Sequence, residues 1–257
     1  MLSSLPRFEA MNNSISGVRS SYNLWAGQYD TNLNKTRDLE AVVLRTALHG
    51  LSFGLGLEMG CGTGKNTSWL VEVCDSLTAI DFSEEMLAVA RQRIPKGRVR
   101  FLQADILDTW PVEDAGFDLI TFSLVLEHVE DLNEIFRKAS MALKPGGMFY
   151  VGELHPFRQY SGSKARFETE DGLHVVTCFT HHISDFFTAA RSNGFEEMEI
   201  NEYFDSELRK INLLVNIKNP QTELDTQIKS FLGDEYSTDY AKVLETNIAL
   251  GKMKLIC

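Results

Sequence analysis

Basic residues are in short supply: 25 Lys and Arg stand against 36 Asp and Glu in 257 residues, a formal charge of −11. Non-specific affinity for DNA or RNA comes largely from neutralising phosphates with Lys and Arg, so this balance argues against a nucleic-acid partner. Cysteine is scarce too. Cys61, Cys74, Cys178 and Cys257 lie far apart and include no C-x-x-C pair, which speaks against a disulfide framework or a zinc site and fits a reducing cytoplasm. No stretch approaches 18 uncharged apolar residues, so no transmembrane helix is expected. Met1 to Ala10 lacks the basic start and apolar core of a secretory signal. Glycine and proline are too few for a collagen-like or disordered chain, and the 44% of apolar residues can fill a sizeable core.

What the sequence does have is a rhythm. From Leu51 onward, short apolar runs alternate with helical patterns, the mark of βα units on a parallel sheet. Strands are expected at 55–59, 77–80, 99–104, 117–122 and 148–154. Between them, Trp69, Leu70 and Val73 fall at helical spacing, as do Met86, Leu87 and Ala90 behind a Ser83 N-cap. A helix over 132–143 should stop at Lys144-Pro145-Gly146-Gly147. Residues 155–180 read as an excursion with an extra strand at 173–180. A helix at 183–192 and strands at 195–204 and 210–218 complete the sheet, and 220–257 read as two polar amphipathic helices.

Gly60-Cys61-Gly62-Thr63-Gly64 sits between the first strand and its helix, where glycines let the backbone approach a ligand and the helix offers free N–H groups. Such a loop can hold a dinucleotide, a phosphate or a nucleoside. A dinucleotide fingerprint wants G-x-G-x-x-G, which puts Lys65 where the third Gly belongs, and a Walker loop fails at Met59 and Asn66. Asp81 ends the second strand about 20 residues on, the position of a ribose anchor, with helix capping as its plainer role. Glu58, at the mouth of the first strand, can orient the loop and sit near a cationic ligand end.

LEMGCGTGKNT (57–67), AIDFSEEML (79–87), ADILD (104–108), FDLITFSLVLEHV (117–129) and LKPGGMFYVGE (143–153) together resemble, in order, the motifs of class I S-adenosylmethionine-dependent methyltransferases. The resemblance implies a Rossmann-like doubly wound α/β fold with a mostly parallel seven-stranded sheet and an antiparallel last strand. It further implies an N-terminal helical lid (1–50), a cofactor-binding domain (51–219) with a substrate-facing insertion at 155–180, and a C-terminal helical extension (220–257). By position, Gly60, Gly62 and Gly64, with Cys61 between them, would line the methionine part of S-adenosylmethionine. Asp81 would hold the ribose hydroxyls, and Phe82 and Met86 would pack on the adenine. Asp105, whose plainer role is a turn residue, would accept from the exocyclic amine. Ile106 would offer a backbone N–H, and Ser123 would lie near the transferred methyl. S-adenosylhomocysteine would be the product.

SYNLWAGQYD (21–30) resembles the closing helix of the ubiquinone- and menaquinone-biosynthesis branch, which makes Tyr22, Trp25 and Tyr29 candidate acceptor-binding residues, and His128, which recurs in the relatives' segment after strand four, joins them. An aromatic stripe at that spacing reads equally as core packing, and His128 also reads as structural. Ser123-Leu124-Val125-Leu126 replaces the Asn/Asp-Pro-Pro-Tyr/Phe signature of nucleic-acid and amide methylation, leaving a small-molecule O-, C- or N-acceptor. His155, closing the fifth strand before Pro156, is the candidate general base. No metal is required. Two other readings stay open: a non-catalytic or regulatory cofactor-binding protein and, less favoured by the loop spacing, a nicotinamide oxidoreductase. The C-terminal extension could be a lid, a homodimer contact or an appendage.

Overall fold

The computed structural model describes residues 15–31, 33–196, 198–205 and 210–216. The helices expected over 220–257 lie outside those residues. In chain order the elements begin with α1 (Ile15–Trp25), α2 (Lys35–Ala47), β1 (Phe53–Met59), α3 (Thr67–Val73), β2 (Cys74–Asp81), α4 (Glu84–Arg93) and β3 (Val99–Gln103). Then follow β4 (Phe117–Ser123), a short 3-10 turn (Leu126–His128), α5 (Leu132–Ala142), β5 (Leu143–Leu154) and α6 (Pro156–Tyr160). The hairpin β6 (Arg166–Thr169) and β7 (Gly172–Val175), α7 (Ile183–Ser192), β8 (Glu199–Asp205) and β9 (Lys210–Asn216) close the series.

The central sheet runs β3-β2-β1-β4-β5-β9-β8. Its first five strands are mutually parallel, and β9 lies antiparallel to both β5 and β8. The chain winds outward from β1 to β3 and restarts at β4 on the other side of β1. At that reversal, the loops leaving β1 and β4 part in opposite directions and open a crevice at the strands' carboxyl ends.

Alternation along the strands builds a core on each face. Leu57, Met59, Ile120, Phe122, Phe149 and Val151 meet Ile135, Phe136 and Ala139 of α5 and Phe186 and Ala190 of α7. On the opposite face, Leu77, Leu119, Met148 and Tyr150 meet Leu39, Val43 and Leu44 of α2 and Leu70 and Val71 of α3. Each fully buried Leu, Ile, Val, Phe or Met side chain among them contributes about 1.5–3 kcal/mol.

Two boundaries differ from the sequence reading. The 1–50 lid divides: α2 belongs to the core layer just described, so only the part ahead of it is free to cover the crevice. The strand expected at 173–180 is instead the short β7, which pairs with β6 in a separate two-stranded hairpin. Phe167 of that hairpin stacks on Trp25 of α1, ring centroids 5.0 Å apart, and the Gln28 side-chain amide donates to the Glu168 carbonyl at 2.7 Å.

Candidate active site

The loop after β1 is tied down by its backbone, because the Gly60 and Cys61 N–H groups both donate to the Ile80 carbonyl at 2.8 and 3.0 Å. Gly60 has φ +69°, and a Cβ there would come within 2.4 Å of Val125. Gly62 also has positive φ, +53°, but a Cβ there would meet nothing within 4 Å. One glycine is needed for packing. The other leaves room for a ligand.

Asp81 organises this end of the crevice. One carboxylate oxygen accepts from the Gly62 N–H (2.8 Å) and the other from the Ser83 N–H (2.9 Å). The capping and anchoring roles therefore coexist, since each oxygen retains a lone pair for a further donor. Burial pushes the carboxyl up to about 6. Ser83 caps α4 by accepting from the Met86 N–H at 3.1 Å. Asp105 is likewise double: one oxygen accepts from the Leu107 N–H (3.0 Å) in a turn, and the other from Arg19 of α1 (3.3 Å).

These residues line a cleft that brings together Gly60, Gly62, Asp81, Phe82, Met86, Asp105, Ile106 and Ser123. Tyr22, Tyr29 and His128 complete its wall with Val18, Leu107, Leu124, Val125 and Val129. The connector after α1 is fastened to the glycine loop: Asp30 accepts from the Thr63 hydroxyl at 3.1 Å and pairs with Arg93 of α4 at 2.5 Å. Beside Phe82, whose ring centroid is 5.9 Å from that of Tyr22, the Tyr22 hydroxyl lies 2.8 Å from His128 Nε2, and His128 Nδ1 lies 2.7 Å from the Thr177 carbonyl.

Below the cleft lie several buried carboxylates. Glu153 accepts from the Val125 and Leu126 N–H groups at 2.8 and 2.7 Å, holding the turn that follows the positive-φ residue Leu124. Glu58 accepts from the Thr67 hydroxyl at 2.6 Å. Burial pushes both up to about 8. Glu40 of α2 accepts from Asn66 and Tyr150 (2.9 and 3.1 Å), and burial raises it as well.

Five sequence-derived assignments change. Glu58 turns toward α3 rather than into the cleft. Cys61 is buried against Ala79 and Leu87, and Gly64 packs over Ala90. Trp25 joins a core cluster with Val18, Met86 and Phe167, which holds its ring against the hairpin. His155 caps α6: its Nδ1 accepts from the Phe157 N–H at 3.1 Å and its Nε2 contacts Glu202. Both ring nitrogens are thus engaged away from the cleft, leaving no lone pair for an acceptor's proton.

Arg19 and Glu127 were missed. Arg19 lies 5.7 Å from the Phe82 ring and on Asp105, and the signal was its i, i+3 relation to Tyr22. Glu127, His128 and Cys178 each bring one donor atom within 4.8 Å of the others. Cys178 comes from a segment about 50 residues away, so no local spacing announces the group. Burial and the Glu127 carboxylate push its thiol up to about 12.

Residues 57–151, which carry the loop, Asp81, Asp105 and the turn after β4, match the family described as "Methyltransferase domain". The region is a class I S-adenosylmethionine-dependent methyltransferase domain. A demethylmenaquinone methyltransferase of Leptospira interrogans is 34% identical to this chain over 103 residues, 36% of this chain and 40% of the relative. A ubiquinone biosynthesis O-methyltransferase of Xanthomonas campestris is 30% identical over 156 residues, 60% and 63% of the two chains. The chain thus spans less than two thirds of the length of either curated relative. The crystal structure of the N-methyltransferase NodS from Bradyrhizobium japonicum in complex with S-adenosyl-L-homocysteine shares the fold, with TM-score 0.61 and 23% identity. That match covers 80% of this chain and all of the other.

Proposed function

We propose that this protein transfers the methyl group of S-adenosylmethionine to a small-molecule acceptor by in-line displacement. The observation that carries the reading is the convergence of Gly62, Asp81, Phe82, Met86 and Asp105 in one cleft that an aromatic N-terminal helix covers. The donor set fits the cofactor. Asp81 has lone pairs left for two ribose hydroxyls, Phe82 and Met86 supply an apolar adenine wall, and the side of Gly62 that a Cβ would fill is open.

In the reading, Gly60 and Gly62 border the methionine part, Asp105 exchanges Arg19 for the adenine amine, and Ile106 offers its backbone N–H. Ser123 lies where the methyl is presented. When bound, the cofactor supplies an electrophilic methyl on a sulfonium whose leaving group is a neutral thioether. The protein's part is alignment and water exclusion: Tyr22 and Tyr29 close the acceptor side and hold two reactants in one frame. The names of the Leptospira and Xanthomonas relatives support a small aromatic or quinone-like class of acceptor. No helix among the described residues is long and apolar enough to cross a membrane, and three free cysteines, Cys61, Cys74 and Cys178, suit a cytoplasmic setting.

Calorimetry with S-adenosylhomocysteine and with NADH, followed by release of S-adenosylhomocysteine in an acceptor panel, tests the proposal. Binding of the homocysteine product but not NADH, with turnover, is expected. Binding without turnover across the panel would favour the regulatory alternative, and NADH binding alone would end the reading.

A further inference from the structure

Lys138 of α5 reaches away from its own helix to the turn that follows β3. Its ammonium donates to three successive carbonyls of that turn, Ile106 at 3.2 Å, Leu107 at 2.8 Å and Asp108 at 2.8 Å. An ammonium has three N–H donors and no acceptor, so the turn takes all of them. Glu134, one helical turn back, stands 3.8 Å away, beyond hydrogen-bond range. The lysine side chain is only 12% exposed, whereas a surface lysine ordinarily leaves its charge in water. Ile106 has a second donor, for Trp110 Nε1 reaches the same carbonyl at 2.9 Å.

The other side of the same peptide unit points to the cleft. The Ile106 carbonyl belongs to the peptide whose N–H, that of Leu107, donates to an Asp105 carboxylate oxygen at 3.0 Å. The Asp108 N–H closes the turn on the Asp105 carbonyl at 3.1 Å. A cation on a carbonyl polarises its peptide and strengthens the bond that the peptide N–H makes. Lys138 and Trp110 thus grip one side of a single turn of backbone while the Asp105 carboxylate, which lines the cleft, is held on the other. Neither Lys138 nor Trp110 is among the residues that line the cleft.

Resting on the methyl-transfer reading, we propose that Lys138 is a positioning residue for the adenine ring and, with Trp110, sets the site's preference for a purine that carries an exocyclic amine. In that reading the turn offers an acceptor, the Asp105 carboxylate, beside a donor, the Ile106 N–H. Adenine answers with a donor amine beside the acceptor N1. Hypoxanthine reverses both, with a carbonyl O6 beside a protonated N1. The two bases can be told apart only while carboxylate and N–H stay in register, and the grip on the Ile106 carbonyl is what fixes that register. Loss of the grip leaves the apolar ring contacts of Phe82 and Met86 in place, so it costs the adenine ligand its polar match and costs a hypoxanthine ligand little.

Calorimetry with S-adenosylhomocysteine and S-inosylhomocysteine, which differ at those two ring positions, tests the assignment without an acceptor. The wild-type protein should bind the adenosyl ligand about tenfold or more tightly than the inosyl one, and equal affinities overturn the proposal. Lys138→Met, with a native circular dichroism spectrum, should lose about tenfold for the adenosyl ligand and less than about twofold for the inosyl ligand. A loss common to both ligands would make Lys138 a structural residue only, and no loss for either would make it dispensable; each result overturns the proposal. Trp110→Phe, which removes one neutral donor from the Ile106 carbonyl, should reproduce the one-sided loss at about threefold. That variant decides where Lys138→Met does not fold, and a two-sided loss or none in it overturns the proposal. Failure of the wild-type protein to bind S-adenosylhomocysteine overturns instead the methyl-transfer reading on which the proposal rests.

Discussion

The two ends of the cleft are built differently. The nucleotide end consists of consecutive βα turns, each contributing a backbone bend or a carboxylate within a few residues of a strand's end. Asp81 touches Gly62 across 19 residues of chain, within one βαβ unit. The acceptor end is assembled from α1, the turn after β4 and the segment after β7, and its central contact joins Tyr22 to His128 across 106 residues. A ligand shared by many proteins can be held by local geometry. Selecting one acceptor calls on side chains from separate segments.

The largest effect expected is at Gly60. Gly60→Ala combines a positive φ, costing about 1–2 kcal/mol, with a clash on Val125 that adds about 1–3 kcal/mol. Its denaturation midpoint should drop far below that of Gly62→Ala, which carries only the dihedral cost. Equal midpoints would mean that the loop is not braced against the turn after β4.

Asp81→Ala should weaken S-adenosylhomocysteine binding by about 1–3 kcal/mol in calorimetry. Because the carboxyl titrates near 6, wild-type affinity should also decline as the pH falls through that value. Unchanged affinity in a folded Asp81→Ala variant would remove Asp81 from the site.

Stability against pH sharpens it further. Glu58 and Glu153, ordinarily near 4.5, are raised to about 8 when folded. Between those values the native state holds protons that the unfolded chain releases, so stability should fall as the pH rises from about 4.5 to 8. Glu58→Gln and Glu153→Gln, compared by urea denaturation at pH 5 and pH 8, should each flatten that slope. Persistence of the full slope in both would show that these carboxyls are not its source.

The smallest effect belongs to Arg19. Its pair with Asp105 is half exposed on the arginine side, and such pairs are worth about 0–1 kcal/mol. Arg19→Ala should tighten S-adenosylhomocysteine modestly by vacating Asp105. A marked loss of affinity would instead make Arg19 a ligand of the adenine end.

Legibility followed the same divide. The five parallel strands, the Ser83 cap and the placement of Gly62, Asp81, Phe82 and Met86 could be read because each depends on a short window. The spacing of Tyr22, Trp25 and Tyr29 put all three on one helical face, but the partner that turns Trp25 aside, Phe167, is 142 positions away. His155 was correctly placed at the end of the fifth strand and wrongly given a role. Pro156 explains the error: it holds His155 extended, φ −56° and ψ 135°, and it also starts a helix well. The same dipeptide that suggested a residue facing a ligand is an N-cap signal. Glu127 was passed over because its apolar neighbours Leu126 and Val129 do not say which segment will fold over the carboxylate.

The fastening of Asp30 to Thr63 and Arg93 gives the glycine loop and its cover a common fate. Thr63 stands in the loop between Gly62 and Gly64, so a molecule that steadies the loop also steadies the connector above it. By thermodynamic reciprocity, whatever holds the connector down must raise the loop's affinity by the same factor. An acceptor resting against Tyr22 and Tyr29 would then retain the methyl donor more firmly than the donor alone could be retained, and departure of the methylated product would loosen both together. Ordered loading and release can arise from two hydrogen-bonded side chains, without a moving domain.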